Sequence, residues 1–137
     1  IAMDVIICLD DKNGMIFNHR RQSRDRAVIA DILNCLNGKR LLINSFSESL
    51  FKNTEENITI EGNPLAKATE EDVCVIENCA LLPYIERIDR LIVYRWNRIY
   101  PADRYLDISL DCNWKMISTT EISGYSHEKI TKEIYTR

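Results

Sequence analysis

Histidine is scarce in this chain: His19 and His127 are the only two, and neither sits in an HxHxD arrangement. That excludes hydrolases built on a cluster of histidine and aspartate metal ligands. Glycine is scarce too, with four residues, and no GxGxxG, Walker lysine loop or GxSxG elbow is present. The five cysteines are odd in number and form no CxxC pair, which argues against a zinc ribbon or a disulfide framework. No run of about 18 apolar residues occurs, so no helix of the sequence pattern spans a bilayer. An excess of positive charge is also missing. The formal net charge of −3 gives no general pull toward nucleic acid or an anionic membrane.

What is present suits a globular chain. The 137 residues are 45% hydrophobic, enough for one domain with one core, expected over 3–137. Met3 reads as the natural start, with Ile1 and Ala2 as extra leading residues. The first apolar stretch meets Asp10-Asp11-Lys12 too early for a signal peptide. With unpaired cysteines, this points to a reduced, cytoplasmic protein. Cys8 and Cys74 fall inside apolar runs and read as small hydrophobes. Cys79 lies near an expected helix start, where thiolates are favoured.

Asp4–Leu9 is a short apolar run that suits a central strand covered on both faces. The turn residues Asp10–Gly14 follow, then a loop over Met15–Gln22. Ser23 is the expected N-cap of a helix from Arg24 to Leu36, whose apolar residues recur at helical spacing and whose end is marked by Asn37-Gly38. Further strands are expected at Arg40–Asn44, Asn57–Ile60, Val73–Ile76 and Asp89–Trp96. Helical turns are expected at Glu48–Phe51, Leu65–Thr69 and Ala80–Arg87. Arg104–Leu110 reads as partly extended. Asn113–Thr120 and His127–Thr136 alternate and read as an antiparallel pair. The pattern predicts a three-layer α/β fold: a mostly parallel central sheet, helices on both faces and a C-terminal antiparallel hairpin.

Several segments resemble dihydrofolate reductase in order and spacing. They are the opening strand with Gly14-Met15-Ile16, the Arg24 helix, Leu41–Ser47, Val73–Cys79, Ile88–Val93 and the closing pair from Trp114 to Ile134. The chain looks like a short, diverged bacterial member of that family. The resemblance implies a reductase-like fold, an NADPH site and a substrate acid at the start of the first helix, for which Asp25 is the candidate. The departures fall on the cofactor side. Glu77-Asn78 stands where the family has paired glycines, and a carboxylate there opposes a diphosphate. Asn44-Ser45 replaces the family's Gly-Arg. The segment between Asn44 and Val73 is too short for a full adenosine-binding subdomain. The loop Met15–Gln22 holds no tryptophan.

Asn18-His19-Arg20-Arg21-Gln22-Ser23-Arg24-Asp25-Arg26 crowds four arginines into an otherwise acidic chain. Arg24 and Arg26 stand in a first helical turn, where cations are unfavourable. Either acidic residues neutralise them or they receive an anion. Ser47 could cap the following turn and, with Ser45, present donors to phosphate. Tyr94–Asp103 interleaves aromatics with arginines, Arg95 among them, as a packed strand or a stacking surface would. Ser126 and His127 are neighbours whose side chains diverge in a strand, poor geometry for nucleophile and base.

Three readings stay open at this stage. One is a reductase-fold protein that is not a true dihydrofolate reductase. It binds a small anionic ligand through Asn18, His19, Arg20, Arg21, Arg24, Arg26, Ser45, Ser47 and Arg95, and requires no metal or cofactor. Another is an NAD(P)H-dependent reductase of a pterin-like heterocycle. The third is a protein-interaction module using the arginine loop and Tyr94–Tyr100. No membrane or nucleic-acid partner is expected, and a homo-oligomer is compatible with all three.

Overall fold

The computed structural model describes residues 3–52, 54 and 57–137. Ile1 and Ala2, read above as leading residues, lie outside them. A seven-stranded sheet forms the body of the molecule. Its strands are β1 (Met3–Leu9), β4 (Arg40–Ile43), β5 (Ile58–Ile60), β6 (Asp72–Val75), β7 (Ile88–Arg95), β9 (Lys115–Ile122) and β10 (Ile130–Thr136). They lie in the order β5-β4-β6-β1-β7-β10-β9. The first five are parallel, and β10 runs antiparallel to both β7 and β9. A small second sheet joins β3 (Arg20–Arg21), β2 (Gly14–Phe17) and β8 (Arg104–Tyr105). The expected α/β architecture, mostly parallel with an antiparallel end, is present.

The central strands are apolar on both faces because each face meets a different layer. Val5, Ile7 and Leu9 join Leu42, Cys74, Ile76, Leu91 and Val93 in one core. The intervening Ile6 joins Leu41, Ile43, Val73, Val75, Ile92 and Tyr94 in the other. Helix α1 (Arg26–Asn34) covers the second core with Val28 and Ile32. The first is covered by Leu65 of the short helix α2 (Pro64–Lys67), by Leu81, and by Tyr84 and Ile85 of a 3-10 turn over Leu82–Arg87. This two-period alternation is what a doubly covered parallel strand requires.

Several local expectations change. Met15–Gln22 is not a loop but mostly a hairpin, with Phe17 paired to Arg20. Asn18 (φ 52°) and His19 (φ 61°) form its two-residue turn. Both central residues need positive φ, which asparagine tolerates well. Helix α1 starts after Asp25, not Ser23: Asp25 is extended and its carboxylate accepts from the Ala27 N–H. The turn expected at Glu48–Phe51 is a 3-10 segment over Ser45–Phe51, capped by Asn44. The helix expected from Ala80 begins at Leu82, since the Leu81 and Leu82 N–H groups donate to Asp107. Strand β10 begins at Ile130, so His127 lies in the preceding turn.

Tyr94 and Trp96 are buried, at 0% and 4% exposure. Of the stretch Tyr94–Tyr100, these two aromatics therefore pack inside, while Asn97, Arg98 and Ile99 are exposed. The Tyr94 hydroxyl donates to Asp31 of α1 (2.6 Å), and burial pushes the Tyr94 phenol above its ordinary range. Lys132 of β10 pairs with the same Asp31 (2.8 Å), fastening the helix across β7 and β10.

Ile32 carries the apolar contact of α1 and is 1% exposed. Ile32→Ala should lower unfolding stability by about 2–5 kcal/mol, since α1 cannot settle into the gap without breaking its polar anchors. Urea unfolding followed by far-UV circular dichroism checks this. A loss below about 1 kcal/mol would mean that the helix is not held by this face.

Candidate functional site

The parallel strands end at a crevice in which α1 faces β1 and β6. Ligands of open α/β sheets bind at such carboxyl ends. The walls are Cys8 of β1, Val75-Ile76-Glu77 at the end of β6, Val28, Ile29 and Ile32 of α1, Leu50 and Trp96, with Ser23, Arg24 and Asp25 at the rim. The lining is chiefly apolar. The cavity itself measures only ≈20 Å³, room for about one water molecule. Burial pushes the Cys8 thiol far above its usual range, with the nearby Glu77 carboxylate adding to the effect.

One side of the crevice is closed by an ion pair. Arg21 of β3 meets Glu77 through both ends of its guanidinium, Nε to Oε1 at 2.8 Å and Nη2 to Oε2 at 3.1 Å. The Ser47 hydroxyl donates to Glu77 Oε2 (2.7 Å), and Arg21 also donates to the Phe46 carbonyl (3.0 Å). Its guanidinium lies 5.0 Å from the centre of the Phe46 ring. The two side chains are 20% and 10% exposed. A bidentate, partly desolvated pair of this kind is geometrically specific. It latches the β2–β3 hairpin onto the end of β6 and neutralises Arg21.

The other side is a buried polar cluster around Asp25. Its carboxylate accepts the backbone N–H groups of Ala27 (2.9 Å), Tyr125 (3.0 Å), Ser126 (2.8 Å) and His127 (3.1 Å). His127 Nδ1 lies 3.1 Å from Oδ2. Burial by itself would raise the Asp25 carboxyl, but the N–H groups and His127 outweigh it and hold the group well below the usual carboxylate range. An acceptor so placed calls for a proton on Nδ1, and in that tautomer Nε2 is the acceptor. Nε2 then offers one lone pair, and two hydroxyls reach it: Ser23 Oγ and Tyr100 OH, each at 3.0 Å. Trp96 stacks on the imidazole with centroids 4.7 Å apart, and Tyr100 meets it edge-on.

The predicted site residues therefore separate. Ser23's neighbours Arg24 and Asp25 line the crevice rim, and Arg21 and Ser47 meet at Glu77. Arg24 is exposed and makes no hydrogen bond or ion pair among the described residues. Arg26 lies over the Tyr125 ring at 4.5 Å. Asn18, His19 and Arg20 sit at the exposed hairpin end, away from the crevice, and Ser45 is exposed at the start of its turn. Arg95 is committed elsewhere: it donates to Glu133 (2.8 Å) and to Asn13 Oδ1 (2.8 Å). Asp25, expected as a substrate acid, has its oxygens filled by donors and stays ionised, which is unsuited to giving up a proton. In the sequence Ser23 is marked only as a cap, and His127 only by its neighbour Ser126. No spacing signal links residues that the fold alone brings together.

The fold has a counterpart among solved structures. The chain is similar to dihydrofolate reductase from Enterococcus faecalis complexed with NADP(H) and RAB-propyl, over 98% of this chain and 95% of that one, with a TM-score of 0.70 and 14% identity. At that identity the likeness is one of fold. No protein-family model and no curated protein matches the chain.

Two substitutions probe the Asp25 cluster. Asp25→Asn should destabilise the protein by about 2–4 kcal/mol at pH 7, because buried donors lose their anion. The folded pKa lies below the unfolded value of about 3.9, so this stability is present above pH 4 and fades as pH falls below it. The gap between variant and wild type should narrow in acid, as measured by denaturant titration at each pH; a constant gap would contradict the assignment. Gly124→Ala should be damaging too, since a Cβ there would meet the His127 carbonyl and stand 2.7 Å from Asp25 Oδ2. A loss of at least about 2 kcal/mol is expected in the same assay, and neutrality would rule out the close approach.

Proposed function

We propose that this chain uses a reductase-like fold to bind a small anionic ligand, and that it does not carry out NADPH-dependent reduction of folates. The observation that carries the reading is the Arg21–Glu77 pair. It puts an anchored carboxylate at the end of β6, where the resemblance assigns paired glycines and the cofactor's phosphates. The Glu77 oxygens are 2.7–3.1 Å from Ser47 and Arg21, so its charge is fixed in place. A diphosphate brought there meets like charge and loses the donors it would need. The residues present do not fit the cofactor. The electrostatics of Asp25 agree, because a carboxyl held ionised is a poor proton donor to a heterocycle.

What supports an anion is the rim. Arg24 is exposed beside the crevice without a counter-ion among the described residues, and it precedes the N-terminus of α1, where negative charge is favoured. Val28, Ile29 and Leu50 offer an apolar wall beside it. A phosphate or carboxylate at Arg24 with a small apolar body resting against this wall, at the mouth of the crevice, satisfies both. Arg20 and Arg26 add long-range attraction.

Calorimetric titration with inorganic phosphate and with phenyl phosphate tests this, beside NADPH titration by fluorescence. Phenyl phosphate should bind more tightly than phosphate. Arg24→Glu should weaken it about tenfold or more, and millimolar NADPH should leave the fluorescence unquenched. Saturable NADPH binding would restore the reductase reading. Equal binding to Arg24→Glu would remove Arg24 from the site.

A further inference from the structure

We propose that Ser23 is a nucleophile, and that Ser23, His127 and Asp25 act together as an acyl-transfer triad on small carboxylic esters. The geometry is a continuous hydrogen-bonded line. Ser23 Oγ is 3.0 Å from His127 Nε2, and His127 Nδ1 is 3.1 Å from Asp25 Oδ2. A nucleophile within reach of a base, itself oriented by a third group, is the arrangement such chemistry requires, whatever the fold or chain order. His127 is 3% exposed and held on one face by Trp96, so its ring is fixed in orientation. Ser23 is only partly buried and lines the crevice. The reactive hydroxyl therefore has access while its base is shielded.

The steps balance without a redox partner. Ser23 Oγ forms a bond to the ester carbonyl carbon as its proton passes to Nε2. The carbonyl oxygen takes the electron pair. Collapse of this intermediate breaks the bond to the leaving alkoxide, which receives the proton from Nε2 and departs as the alcohol. Water then adds to the acyl–Ser23 carbon, giving a proton to Nε2. The Ser23 oxygen leaves, recovers that proton, and the carboxylic acid is released. Asp25 stays ionised and serves as a positioning residue that stabilises the imidazolium. The backbone N–H groups of Arg24 and Arg26 have no hydrogen-bond partner among the described residues. They stand at the positive end of α1, where developing negative charge is favoured. The cavity of ≈20 Å³ restricts the acyl group to the shortest chains.

Tyr100 is the internal control. Its hydroxyl competes with Ser23 for the single Nε2 lone pair. Removing that hydroxyl leaves the ring in place and gives the base wholly to Ser23. A purely structural network would make no such distinction in reactivity.

The inference uses the crevice of the proposed ligand site but not the anion, so its test is independent of phosphate binding. The full chain is treated with a fluorophosphonate probe, and the adduct is located by peptide mass mapping; hydrolysis of p-nitrophenyl acetate is followed in parallel. A single adduct on Ser23 is expected, forming several-fold faster in Tyr100→Phe and absent in Ser23→Ala. Ser23→Ala should also lower ester turnover about a hundredfold or more, with circular dichroism confirming that it is folded. No Ser23 adduct in either wild type or Tyr100→Phe overturns the proposal, as does undiminished turnover in folded Ser23→Ala.

Discussion

The Asp25 carboxylate gathers N–H groups from two distant parts of the chain. One is the first turn of α1, through Ala27; the other is the turn before β10, through Tyr125, Ser126 and His127. Four backbone donors and an imidazole satisfy an anion that is 3% exposed. An unpaired charge at that depth would be strongly destabilising, so the cluster forms complete or not at all. Much else depends on it. It sets where α1 begins, keeps His127 out of the strand, and requires a residue without a side chain at position 124. It also brings Ser23 and Tyr100 to the far side of the imidazole. Helix, C-terminal hairpin and crevice rim are registered to one another through this one group.

A second anchored anion shapes the opposite wall. Glu77 is held by Arg21 and Ser47, and the pair closes the crevice on that side. This chain and the dihydrofolate reductase from Enterococcus faecalis share a scaffold across nearly their whole lengths at 14% identity. Fold similarity at this level constrains where a ligand can sit and says little about what is done to it. The apolar floor from β1, β6 and α1 is a property of the architecture. The charges around it belong to this chain.

Much of the architecture was legible in the residues. Runs such as Val5–Leu9 and Leu41–Ile43 are apolar at every position, which only a strand covered on both faces accommodates. The spacing of Val28, Ile29 and Ile32 marked the buried stripe of α1. Hidden features were those decided by competition between partners. Ser23 and Asp25 are both good N-caps, and Asp25 prevails because Ser23's hydroxyl is drawn to His127. Asn18-His19 is a two-residue turn only because Phe17 and Arg20 pair across it. The arginine loop could be neutralised or left open. It is partly each: Arg21 is paired, Arg24 is exposed.

By itself, the sequence determined the layers and the mostly parallel sheet with its antiparallel end, because apolar patterning is a local fact. Only the tertiary structure decided the partners of the polar groups. Ser23, Tyr100 and His127 are far apart along the chain, and nothing in their spacing relates them. Their meeting around one imidazole follows from the packing of α1 against the C-terminal hairpin. Hydrogen bonds are short-ranged and directional, so a function that rests on them becomes visible only once the chain has been folded.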